Sequence, residues 1–368
     1  MLALTAVPIR RMNREQFFAK LAAMDEAALQ KALWTLYWRG TAAMRERIEA
    51  EVDPAARDRR ERHSKEPVDP GLVLADVCDF VELVRSGAYM AGDRRVSPRE
   101  RTRWRFTFQR LATEAQGALV GEDVGAGAAA VEQLIDLART LRGYDYVRSE
   151  DPVEAARFVV SDVVELLWTR LRDEYGFAGF AERAAPQLIR WESQYGWTRR
   201  GDGRVSEKET SLARVLMKMM RVPDLWAEFA DHYLDALDQV DRDSVVRRGR
   251  GVRASVRASV RDGEERASNL AEWHLLLLGK LADSDYEDRL DRLTEHPALG
   301  GPYLAYLQAR LAHERGDADR ACSLVHEALT KLPGHRGFLG FATEIGAPLP
   351  PRAQQIAKDQ QIANQRMR

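Results

Sequence analysis

One period governs almost the whole chain. Apolar residues recur three and four positions apart, the spacing that gathers them on one face of an α-helix. Leu29, Leu33, Leu36 and Tyr37 make one such stripe, and Trp104, Phe108, Leu111 and Ala115 make another. No hairpin dipeptide stands between runs that alternate apolar and polar residues, so strand signals are missing. The spacing therefore predicts an all-α protein. A chain of 368 residues has room for helical hairpins stacked as an α-solenoid or an irregular helical array, with a small N-terminal three-helix unit.

Interruptions of the period mark the organisation. Asn13 with Gln16 forms a capping-box pattern, Asp25 precedes a second helix that Gly40 stops, and Thr41 opens a third. These signals delimit an N-terminal unit over 1–52. The stretch "DPAARDRRERHSKEPVD", 53–69, is rich in charge and nearly free of apolar residues, the composition of a linker. From Pro70 the spacing predicts helices over 70–86, 98–119, 127–142, 152–174, 178–194, 207–220, 224–241, 264–281, 284–294, 302–315, 318–332 and 336–345. Ser97 before Pro98 and Asp151 before Pro152 are helix starts, and Ser206 with Glu209 reads as a capping box. These divide into a central helical domain, 70–243, a C-terminal helical-repeat region, 244–348, and a frayed polar tail, 349–368.

Residues 302–335 read "PYLAYLQARLAHERGDADRACSLVHEALTKLPGH". Leu304, Leu307 and Leu311 stripe the first helix, an Arg-Gly-Asp turn follows, Ala321 and Ala328 supply small residues, and Pro333 closes the second helix. This stretch resembles one tetratricopeptide repeat, a helical hairpin of about 34 residues. Leu304 stands near the position of the family's early aromatic, and Gln308 or Ala309 at its glycine. The resemblance implies a hairpin that needs neighbours to bury its face, within an array whose usual work is to hold other macromolecules.

Fifty-six basic residues against 57 acidic ones leave a net charge of −1, so any hold on nucleic acid must come from a local patch. The N-terminal apolar run precedes its arginines, the reverse of a secretory signal, and no apolar run is long enough to span a bilayer. Cys78 and Cys322 stand in no metal-ligand spacing. These features predict a soluble cytoplasmic protein with no membrane contact, no cofactor and no metal.

Two arginine-rich segments are candidates for contact. In "VVRRGRGVRASVRASVRDG", Arg247, Arg248 and Arg250 flank glycines in a predicted loop, and Arg253, Arg257 and Arg261 line one edge of a helix. The segment reads either as a solvated helix edge or as a site for phosphates or an acidic partner. The second segment, 94–110, interleaves arginines with aromatics, although Trp104 and Phe108 also fit a core stripe. A third candidate is the loop bearing Trp197, Arg199, Arg200 and Arg204, because aromatics and arginine dominate binding hot spots. Asp231, Asp235 and Asp238 share one helix face beside His232 and read as its wet side, and "GEDVGAGAAAVEQL" reads as a flexible connector. His274, in an apolar helix, reads as a core residue.

The expected function is a non-enzymatic helical scaffold that recognises a protein partner. Nucleic-acid binding through 94–110 and 247–261 is the alternative. Six phosphate contacts in the latter segment would give a salt slope of roughly −5. An all-α enzyme without a visible motif is a third reading.

Overall fold

The computed structural model describes residues 14–39, 45, 48–49, 51–55, 69–90, 93–143, 145–192, 203–248, 254–282 and 287–366. Among them every regular element is a helix and none is a strand, as the apolar spacing requires. The chain divides into two units, Met1–Pro67 and Val68–Arg368.

The first unit holds α1 (Arg14–Ala22) and α2 (Glu26–Arg39). Asp25 caps α2, its carboxylate accepting from the Ala28 amide at 2.7 Å. Of the expected third helix only 45, 48–49 and 51–52 are described, all helical. No described side chain between 15 and 55 is buried, and Phe17, Trp34 and Trp38 are largely exposed. Trp34 instead stacks along its own helix on Tyr37 and Trp38, with ring centroids 5.6 and 5.8 Å away.

The second unit begins with α3 (Pro70–Arg85), α4 (Pro98–Val120) and α5 (Val124–Gly143). Asp69 accepts from the Gly71 amide at 2.9 Å, and Ser97, expected as a helix start, forms a capping box with Glu100. The glycine-rich stretch is not a loose connector. Helix α5 starts inside it, and a Cβ on Gly127 would stand 2.5 Å from Leu119 Cα, so the glycine permits α5 to lie close on α4.

The expected helix 152–174 is broken. A short α6 (Pro152–Ala156) stops at Arg157, and α7 (Val160–Trp191) follows with a kink at Gly176. Then come α8 (Arg204–Lys208), α9 (Leu212–Met219), α10 (Pro223–Arg248), α11 (Ala254–Asn269), α12 (Ala271–Leu281) and α13 (Glu287–Thr294). Helix α10 continues past its expected end at 241 through Arg247 and Arg248, residues read from sequence as loop. Packing joins neighbours in order and also more distant elements, α7 with α10 and α11 with the later α14 (Gly301–Glu314). One set of buried residues runs from Val73 to Leu311 and is continuous across residue 243, where Trp226, Phe229 and Tyr233 meet Trp273 at 5.8, 5.3 and 5.7 Å.

The C-terminal hairpin pairs α14 with α15 (Ala318–Lys331), followed by α16 (Arg336–Glu344). Leu307 and Leu311 are buried, and Ala309, Ala321 and Ala328 are fully so. The last segment is not a frayed tail: α17 (Pro351–Arg366) packs on α15 and buries Ala353 completely. Among the described residues no helix is long and apolar enough to cross a membrane.

Candidate functional site

The structure describes only some of the candidate arginines. Arg247 and Arg248 end α10 and Arg257 lies in α11, with side chains outside the described set. Arg250, Arg253, Trp197, Arg199 and Arg200 lie outside the described residues altogether. Arg261 is exposed on α11. Within the 94–110 segment, Trp104 and Phe108 are buried, Arg95 and Arg110 are ion-paired with Asp93 and Glu114, and Arg101 donates to the Val96 carbonyl. One arginine of that segment, Arg105, meets Arg204 of the third candidate stretch.

They meet in a cleft of about 710 Å³ where α4, α6 and α8 converge. Arg105, Arg157, Arg204 and Lys208 supply four cations, all exposed. Phe106 stands beside them 53% exposed, with the Arg105 guanidinium 4.8 Å from its ring centroid. Among the described residues no ion pair engages any of the four. Among the described residues, the carboxylate lining the cleft is Glu154, and both its oxygens are occupied by backbone. Oε1 accepts from the Arg204 amide at 3.1 Å and Oε2 from the Val205 amide at 2.8 Å. Gly203 makes that approach possible, because a Cβ there would collide with the Glu154 carboxylate.

Arg157 reaches the cleft through an unusual backbone. It is the one described non-glycine residue with positive φ, at φ 54° and ψ 38°. Its amide donates to the Glu154 carbonyl at 3.0 Å, and the Phe158 amide to the Val153 carbonyl at 3.2 Å. This is the helix-ending Schellman arrangement, which normally seats glycine at that position. Phe158 is buried edge-on against Phe108, with centroids 5.1 Å apart, and anchors the turn.

Two further clusters have structural work. The acidic face of α10 does not face only water. Asp231 takes both ends of the Arg289 fork at 2.8 and 2.7 Å, and Asp238 meets His296 Nε2 at 3.0 Å, tying α13 to α10. Among the described residues no group of His, Cys, Asp and Glu is arranged to hold a metal ion. In the core, the Tyr233 hydroxyl and His274 Nε2 share a hydrogen bond of 2.7 Å. Burial pushes His274 down to about 3 and raises Tyr233 well above the usual phenol range, so both are held neutral.

Sequence reading missed Arg157, Lys208 and Glu154. A left-handed residue leaves no composition signal when it is not glycine, and Glu154 reaches a segment 50 residues away. No protein-family model, curated protein or solved structure matches the chain.

Proposed function

We propose that the protein is a helical scaffold of the cytoplasm that recognises a protein partner and holds an acidic segment of it in the cleft between α4, α6 and α8. The single observation that carries this reading is the set of four exposed cations that have no carboxylate partner among the described residues. Like charges gathered at one place repel one another and lower the stability of the folded chain, unless a ligand of opposite charge gains from them. Guanidinium groups hold their protons throughout the physiological range, so they orient and bind anions rather than exchange protons with them. The exposed Phe106 and the apolar edges of Val159 and Val205 would take a neighbouring side chain of the same segment. The tetratricopeptide-like sequence at 302–335 supports an array built for docking.

The test is a titration of fluorescently labelled decaglutamate with the full chain at low salt, read by anisotropy. Saturable binding is expected. Replacing Arg105, Arg157, Arg204 and Lys208 together by Glu should weaken it more than about tenfold, the loss of several charge-assisted contacts, with the far-ultraviolet dichroism unchanged. Absence of binding would refute the reading. So would a preference for duplex DNA that survives the replacement, which would place the contact on other arginines.

A further inference from the structure

We infer that the anion this cleft is shaped for is a phosphate monoester on a serine or threonine of the partner segment, and that Arg157 is its anchoring residue. The inference rests on the reading of the cleft as the partner site and adds the chemical identity of the bound group.

Arg157 carries the first part of the argument. Its position demands a left-handed backbone, which an L side chain adopts at a cost and glycine adopts freely. The hydrogen bonds that define the turn come from backbone amides and would form equally well with glycine. The guanidinium engages no ion pair among the described residues. Among the described residues nothing repays the strain, and strain of this kind persists where a side chain is needed at a fixed place. That place is the wall of the cleft.

Preorganisation carries the second part. Glu154 fixes two arginines at once. Its carbonyl accepts from the Arg157 amide, and its carboxylate holds the backbone of Arg204. Arg105 is set on α4 beside buried Trp104. Cations from three elements thus line one cleft. A side-chain carboxylate offers one charge and two oxygens. A phosphate monoester offers a charge of about −1.5 to −2 and three oxygens, which several guanidinium forks engage together. A nucleic-acid strand presents its phosphates in a row and calls for a track of cations, whereas these four line a single cleft.

The experiment uses the full chain and three labelled peptides of one sequence, Ala-Leu-Ala-X-Ala-Leu-Ala, with X phosphoserine, glutamate or serine. A single-stranded oligonucleotide serves as a fourth probe. At about 0.1 M salt, where exposed charges more than a Debye length apart are screened, the phosphoserine peptide should bind at least about tenfold more tightly than the glutamate peptide. The serine peptide should be silent. Arg157→Gly should erase the preference for phosphoserine without lowering the thermal midpoint, whereas Arg157→Lys should keep part of it. Equal binding of phosphoserine and glutamate overturns the inference, as does a preference that survives Arg157→Gly or a tighter hold on the oligonucleotide. If decaglutamate binds and phosphoserine gains nothing, the phosphate assignment alone fails. If neither binds, the reading of the cleft as a partner site fails with it.

Discussion

His274 and Tyr233 show how much a single buried pair decides. Each satisfies the other at 2.7 Å within a wall of aromatic rings that includes Trp273. His274 keeps its proton off down to about 3, whereas in the unfolded chain it takes one up near the ordinary value of 6.5. Between those values the unfolded state binds the extra proton, so its contribution to stability is complete above 6.5 and is lost as pH falls toward 3. Half-buried His335, lowered by burial, acts in the same direction. Urea unfolding measured at successive pH values should lose up to about 1.4 kcal/mol per unit below the histidine range. The double variant Tyr233→Phe, His274→Leu should flatten that slope. Arg157 sits at the opposite extreme, exposed and strained. Arg157→Gly should stabilise the fold by up to about 1 kcal/mol in the same assay, because only the backbone conformation limits it.

Between elements, carboxylates do the joining. Glu154 of α6 holds the start of α8, and Glu192, just beyond α7, accepts from the Leu212 and Ala213 amides at the start of α9. Glu209, just after α8, accepts from the Val160 and Ser161 amides of α7 at 2.6 and 2.9 Å. Sequence proximity suggests a capping box of Ser206 with Glu209. The real cap of α9 is Ser211, and Glu209 caps a helix some fifty residues earlier. Burial raises the Glu209 carboxyl against the opposing pull of those amides. Truncating it orphans two buried donors, so Glu209→Ala should cost about 1–3 kcal/mol by urea unfolding. Gly203→Ala should push the Glu154 carboxylate off the Arg204 and Val205 amides. A comparable loss of stability, with weaker anion binding, is the expected outcome.

Across the whole second unit, the core has no seam at residue 243. Phe108 lies on α4 and Trp273 on α12, yet both belong to the same continuous set of buried residues. Phe108→Ala and Trp273→Ala should each cost about 3–5 kcal/mol. Each should shift one shared transition in tryptophan fluorescence and dichroism; two separable transitions would show independent domains. What depends on neighbours along the chain is legible in the residues alone. Helical period, the caps at Asp25, Ser97 and Asp151, and the break near Gly176 all follow from contacts within about one turn. The residues also mark Trp104 and Phe108 as core and the 302–335 segment as a helical hairpin. Which charges meet depends on long-range packing. Arg105 and Arg204, 99 positions apart in the numbering, share a cleft because Glu154 pins one segment and Phe158 the turn beside it. Periodicity carries no information about such distant pairings, since a helix fixes which face a residue takes but not what that face will find.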